Sequence, residues 1–327
     1  GTGDHEDLNF VTTGRGSELS IMSAHTDKGP KPDYGAFSGF DHVHWWVGNA
    51  TTMAEWFIVR FGFERVAYRG LETGHRNMVS HVIRQGDIFF VFSSPISPPD
   101  ESEPVYGQSM AEHLALHGDG VKDVAFAVED CARIFESARS RGATVIAEPY
   151  EEEDENGRVI LATVATYGNT VHTFVQRDGY TGPFLPHYRA VEETDALAGV
   201  TPPIGLDLID HVVGNMSDGK MEPTVKWYEN VLQFHRFWTV DDKQIHTEYS
   251  SLRSVVVADY DEVIKMPINE PAAGKRKSQI QEYVEFYGGH GVQHIALLTK
   301  DIISAITHLS ARGVQFLKVP AAYYDSL

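Results

Sequence analysis

Cysteine is almost missing from this chain: Cys131 is the only one among 327 residues. A lone thiol cannot close an internal disulfide, and no cysteine-based zinc spacing can exist. Its surroundings, Val128-Glu-Asp-Cys-Ala-Arg-Ile-Phe135, read as helical, so Cys131 is expected to be a small buried hydrophobe. A disulfide-free chain fits a reducing compartment, and the expected location is cytoplasmic. Long apolar runs are missing too. None approaches the roughly 18 residues of a membrane helix, and Gly1 to Ile21 lacks the hydrophobic centre of a signal peptide. Positive charge is scarce: 27 Lys and Arg stand against 46 Asp and Glu, a formal net charge of −19. Such a surface repels phosphate backbones and anionic lipid, so nucleic acid and membrane are not expected partners. There is no phosphate-binding glycine loop, nucleophile elbow or Ser–His–acid pattern, which sets those chemistries aside.

What the chain does have is enough apolar residue (42%) and enough length for two cores. It also repeats itself. Phe40-Asp-His-Val43 matches Ile209-Asp-His-Val212. Gly48-Asn49 and Gly214-Asn215 follow, then helical stretches carrying Trp56-Phe57 and Trp227-Tyr228. A second pair matches Gly118-Asp-Gly-Val-Lys-Asp-Val-Ala125 with Gly289-His-Gly-Val-Gln-His-Ile-Ala296. Both run into helices expected to stop at Arg141-Gly142 and Arg312-Gly313, glycine being the left-handed terminator. Ala143 to Ile146 and Val314 to Leu317 then read as strands. The repeat predicts four strand–helix–strand modules in two domains. The expected division is a disordered tail over 1–37, a first domain over 38–178, a linker over 179–207 and a second domain over 208–327. Glu151 to Gly157, though acidic, reads as a solvated hairpin, because Asn156-Gly157 is a turn signal. Lys275-Arg-Lys277 reads as a solvated basic loop.

Among 16 histidines the repeat selects two. His211 and His294 hold the same place in successive modules, expected at strand openings that face each other. Two converging imidazoles suit a divalent metal; two satisfied core histidines are the alternative. The first half serves as a control. It has His42, but Asp123 at the second position and Thr173 at the third, within Val171-His-Thr-Phe-Val-Gln-Arg177. It is therefore expected to be a metal-free structural copy, with His42, His44 and His172 in packing or hydrogen bonding.

Several longer segments carry a resemblance: Tyr68-Arg-Gly-Leu-Glu-Thr-Gly74, Leu232 to Trp238, His246 to Ser254, Lys265-Met-Pro-Ile-Asn-Glu-Pro271, Lys277 to Tyr283 and Gly291 to Leu297. From about residue 28 to the last residue, the chain resembles the eukaryotic 4-hydroxyphenylpyruvate dioxygenases of the vicinal-oxygen-chelate superfamily. The resemblance implies an α+β fold of two tandem domains, each built of paired βαβββ modules in an open, curved, barrel-like sheet. It implies Fe(II) as cofactor, O2 as co-substrate and an aromatic α-keto acid as substrate. The reaction would convert 4-hydroxyphenylpyruvate to homogentisate in tyrosine and phenylalanine catabolism, in a homodimer or homotetramer.

His211 and His294 match the family's histidine ligands, and Ser254, Asn269, Gln279 and Gln293 match polar residues of its substrate pocket. Gln293 precedes a ligand on a strand, so direct contact and support of His294 are both open. Ser278 with Gln281 reads as a capping box, which gives Gln279 a plain helix-starting alternative. No Asp or Glu matches the family's carboxylate ligand. The expectation is that this third ligand lies beyond Leu327 and that the second domain is incomplete. Two alternatives stay open: a truncated, non-catalytic member acting as a binding module or antigen, and another metal-dependent dioxygenase of the same fold.

Overall fold

In the computed structural model, residues 28–96, 109–193, 196, 200–240, 251–272 and 277–317 are described. Thr26–Val314 make up one unit. The chain runs β1 (Phe37–Trp46), α1 (Ala50–Phe61), β2 (Glu64–Arg69), β3 (Met78–Gln85), β4 (Ile88–Pro95), α2 (Met110–His117), β5 (Gly120–Val128), α3 (Cys131–Ser140), β6 (Val145–Asp154), β7 (Gly157–Ala165), β8 (Val171–Asp178) and β9 (Arg189–Ala190). It continues through β10 (Leu206–Asn215), α4 (Met221–Val231), β11 (His235–Val240), β12 (Ser251–Ala258), β13 (Lys265–Ala272), α5 (Gln279–Tyr287), β14 (Gly291–Thr299) and α6 (Ile302–Ala311). No described helix is long and apolar enough to cross a membrane.

The strands form two sheets. The first has the order β6-β7-β8-β5-β1-β4-β3-β2-β9 and the second β11-β12-β13-β10-β14. The second order repeats part of the first: β10 stands where β1 stands, β13 where β4, β12 where β3, β11 where β2 and β14 where β5. Three βαβββ modules are therefore complete, and β14 with α6 opens a fourth. The strand matching β8, which carries Thr173, is not among the described residues.

Local chemistry explains the helices. Asn49, Asp130 and Asp301 cap α1, α3 and α6, each accepting a backbone N–H in the first turn (Thr52, Arg133 and Ser304). The expected stops hold: Arg141 and Arg312 end α3 and α6, and Gly142 and Gly313 follow with φ of 96° and 79°. The acidic stretch is a hairpin, β6 turning into β7 through Glu155-Asn156, with Gly157 opening the return strand. Val314 to Leu317 forms no strand. A strand needs a partner for its backbone groups, and none among the described residues lies beside it.

One apolar cluster runs through both halves. Phe37 packs edge-on against Phe126 (5.8 Å between centroids) and against Phe234 of the second half (5.2 Å). Burying each such ring contributes about 1.5–3 kcal/mol. Polar contacts add to the join. Thr166 donates to the Tyr228 hydroxyl (3.3 Å), which donates to His172 Nε2 (2.7 Å), while His172 Nδ1 donates to the Val124 carbonyl (2.8 Å). Asp87 N donates to the Asp207 carbonyl at 2.7 Å. Beside it Gly86 has φ 57°, and a Cβ there would lie 2.4 Å from that carbonyl, so only glycine fits.

Two expectations change at the edges of the first half. Tyr34, assigned to the tail, is buried and donates to the Leu232 carbonyl at 2.7 Å. Phe184 and Leu185, assigned to the linker, are buried against the first sheet. Both stretches carry large side chains that the sheet faces can bury, which outweighs their lack of regular pattern. Residues 1–27, Lys275 and Arg276 lie outside the described residues.

Candidate active site

Strand register decides which side chains meet. On β10, His211, Val213 and Asn215 share one face by alternation. Val213 pairs with His294 of β14, and Asn215 pairs with Asn269 of β13, which pairs with Ser254 of β12. All six therefore project from the face opposite the helices. His211 and His294 lie inside their strands rather than at the openings, and their rings face each other with centroids 5.9 Å apart and planes at 75°.

Each histidine is anchored by the residue before it. His211 Nδ1 lies 2.7 Å from Asp210 Oδ2, and His294 Nδ1 lies 3.0 Å from Gln293 Oε1. A carboxylate and a carbonyl oxygen can only accept, so in both rings Nδ1 carries the proton and Nε2 keeps its lone pair. Successive strand residues normally point to opposite faces, so these contacts need a cause. The β10–β14 register shifts between Ile209 and His211 and again between Val213 and Gly214. Asp210 and Gln293 are the extra residues at those two bulges, and a bulge re-aims its side chain. Of the two roles open for Gln293, the contact made here is support of His294. Burial, and secondarily the neighbouring His211, lowers the His294 pKa, which favours the neutral ring.

The first half has the same two bulges and a different outcome. His42 Nδ1 donates to Asp41 Oδ1 at 2.6 Å, and Arg177 holds the Asp41 carboxylate with two N–H groups. At the second position Asp123 accepts from Thr173 N (3.0 Å) and Thr173 Oγ1 (2.6 Å). The carboxylate that could have faced a metal is satisfied by threonine instead. His42, His44 and His172 are buried and hydrogen-bonded.

A polar row crosses the second sheet at the other end of β10. Ser254 and Asn269 are buried and directly opposed, and Asn269 Nδ2 donates to Asn215 Oδ1 at 3.3 Å. Among the described residues Asn215 Nδ2 has no hydrogen-bond partner, although the residue is fully buried. Four strand steps separate His211 from Asn215, about 13 Å at about 3.3 Å per residue. Gln279 begins α5 and is exposed, with Ser278 as its cap accepting from Ile280 N at 3.3 Å. The reciprocal half of the capping box is replaced: Gln281 Nε2 donates to Glu285 at 3.0 Å. No hydrogen bond among the described residues joins Gln279 to Ser254, Asn269 or Gln293.

Sequence reasoning missed Asp210 and Asn215. Asp-His occurs in both halves, which was a signal for Asp210. For Asn215 the Gly-Asn match misled, because Asn49 caps a helix while Asn215 sits in a strand, in the place Trp46 takes in the first half. Among the described residues no third histidine, cysteine or carboxylate joins the pair to make a cluster of three. The donors present still fit a divalent metal: two imidazoles with free Nε2 atoms, one backed by a carboxylate.

Residues 208–327 match the Glyoxalase/Bleomycin resistance protein/Dioxygenase superfamily. A 4-hydroxyphenylpyruvate dioxygenase of Xenopus tropicalis is 54% identical over 307 residues, spanning 94% of this chain and 76% of that one. One of Dictyostelium discoideum is 57% identical over 290 residues, spanning 88% and 77%. Among solved structures, a triple mutant of 4-hydroxymandelate synthase from Streptomyces coelicolor superposes with a TM-score of 0.74 at 25% identity, covering 88% of this chain and 79% of that one. With its βαβββ modules, its paired histidines and relatives of this identity and coverage, the chain belongs to the 4-hydroxyphenylpyruvate dioxygenase family of that superfamily.

Proposed function

We propose that this chain performs its family's reaction: the Fe(II)- and O2-dependent oxidative decarboxylation and ring hydroxylation of 4-hydroxyphenylpyruvate to homogentisate, a step of tyrosine and phenylalanine catabolism. The observation that carries this reading is the His211–His294 pair, with both Nδ1 atoms anchored and both Nε2 atoms left to bind. A dioxygenase of this superfamily implies a metal cofactor. Two histidines and a carboxylate would suit Fe(II). The carboxylate belongs at the counterpart of Thr173, outside the described residues.

Fe(II), when bound, supplies the electron chemistry that O2 requires. The chain's own residues do the rest. His211 and His294 offer Nε2 to the metal, and Asp210 keeps the His211 proton on Nδ1 and makes its Nε2 the better donor. The keto acid would belong at this end, beside the metal that these histidines would hold. The ring lies along Val213 toward Asn215, Asn269 and Ser254, whose neutral groups hydrogen-bond the phenol without adding charge that would compete for the carboxylate. Gln279, at the start of α5, and Gln293 complete the proposed polar lining. The atoms balance: the keto acid loses CO2 and its former ketone carbon gains one oxygen of O2, and the ring gains the other.

The lone buried cysteine fits a reducing compartment, and we place the protein in the cytoplasm. From the family resemblance we propose a homodimer or homotetramer, which sedimentation velocity reads directly. The test of function is O2 uptake and homogentisate formation with added Fe(II) and 4-hydroxyphenylpyruvate. Turnover is expected, and it should vanish in His211→Ala and His294→Ala proteins that keep the wild-type circular dichroism. Undiminished turnover in either variant would sink the assignment.

A further inference from the structure

The first half does not leave its open face empty. On that face stand His42 and His44 of β1, Leu161 and Thr163 of β7, and Thr173 of β8. The chain leaving β8 returns across it. Phe184 and Leu185 are buried there, and Arg177 pins the crossing by donating to the Phe184 carbonyl (3.2 Å from Nη2) while its guanidinium lies 5.9 Å over the Phe184 ring. Phe184 packs edge-on against His42 (5.0 Å) and Tyr188 (5.1 Å). Between this crossing and the sheet remains a cavity of about 360 Å³, a volume suited to a small molecule.

The lining sorts by chemistry along the cavity. Its floor is polar and uncharged. His42 has Nδ1 committed to Asp41, which leaves Nε2 as an acceptor, and burial lowers the pKa of His42 to about 4 and of His44 to about 3. Asp123 below them is engaged by Thr173. The walls are apolar and aromatic: Phe184, Tyr188, Leu161, Val91 and Met78. The rim carries one charge of each sign, Arg69 and Glu152. Neither forms an ion pair among the described residues. Arg69 lies 5.6 Å over the Tyr188 ring and hydrogen-bonds its hydroxyl, and burial above all raises the pKa of Tyr150 and Tyr188, with smaller contributions from Glu152 (raising) and Arg69 (lowering). Both charges line the same cavity.

We propose that this cavity binds a small aromatic α-amino acid, with the ring between Phe184 and Leu161, the carboxylate on Arg69 and the ammonium on Glu152. A ring hydroxyl, where the ligand has one, donates to His42 Nε2. Only a zwitterion answers both rim charges. A simple acid would bring its carboxylate beside Glu152, and a simple amine would leave Arg69 unanswered while placing a second cation at the mouth. The cavity lies in the other half from the His211–His294 pair, so the inference stands apart from the proposed reaction.

Isothermal titration calorimetry of the full chain with L-tyrosine tests it. The expected result is one site per chain with Kd at or below about 1 mM. Tyramine, which lacks the carboxylate, and 3-(4-hydroxyphenyl)propionate, which lacks the amine, should each bind at least about tenfold more weakly, since each loses a charge-assisted contact. Arg69→Gln and Glu152→Gln should weaken L-tyrosine by a similar factor, each checked for wild-type melting. His211→Ala should leave it unchanged. No binding of L-tyrosine, equal binding of the two truncated compounds, full binding by both rim variants, or loss of binding in His211→Ala would each overturn the proposal.

Discussion

His211 and His294 face each other across β10 and β14 with ring centroids 5.9 Å apart, and each owes its orientation to a bulged neighbour. The Asp210 contact is the stronger of the two, because its acceptor is a carboxylate (2.7 Å) rather than an amide oxygen. Asp210→Ala should therefore lower metal affinity by about 10- to 100-fold, and Gln293→Ala by less. Competition with a chromophoric chelator under anaerobic conditions measures both. Equal affinities for wild type and Asp210→Ala would show that the contact does not tune the site.

Asn215 holds Asn269 in place, and among the described residues its own Nδ2 has no hydrogen-bond partner. Asn215→Ala should raise KM for 4-hydroxyphenylpyruvate about tenfold, the value of one lost hydrogen bond, while metal affinity stays at the wild-type level. An unchanged KM, or a parallel loss of metal, would remove Asn215 from the substrate end of the site.

In the first half, Asp123 should matter for folding and not for metal. Asp123→Ala leaves Thr173 N–H and hydroxyl buried and without their acceptor. The expected loss of stability is about 2–4 kcal/mol by urea unfolding, with unaltered metal affinity in the protein that remains folded. A metal affinity that fell with Asp123 would mean that the first half binds metal after all.

Acid should destabilise the protein through its buried histidines. Burial lowers the pKa of His42, His81 and His172 to about 4, and of His44 and His113 to about 3. The unfolded chain binds these protons near pH 6.5, so it holds more protons than the folded one in between. The full contribution to stability is present above about pH 6.5 and is lost as pH falls toward 4. His113 isolates the effect, because it is fully buried and, among the described residues, no group hydrogen-bonds either ring nitrogen. His113→Phe should stabilise the protein by about 1 kcal/mol at neutral pH and flatten the pH dependence by about 1.4 kcal/mol per unit between pH 6 and 4. An unaltered slope would place the acid sensitivity elsewhere.

The duplication, the helix stops at Gly142 and Gly313, the hairpin at Asn156 and the singling out of His211 and His294 were all legible in residue order. These are local signals: a cap, a turn or a period imposes its geometry within a few residues, and a repeat displays it twice. Tertiary structure alone decided the rest. Alternation put Gln293 on the face away from His294, and only the pairing of β14 with β10 creates the bulge that brings it back. The Gly-Asn match set Asn215 beside Asn49, and only strand register moves it to the place of Trp46. Phe184 and Leu185 looked like linker because they follow no period, yet they close the first sheet over its cavity. Bulges, register and coverage depend on partners distant in sequence, and hydrogen-bond pairing and burial settle them once the sheets have formed.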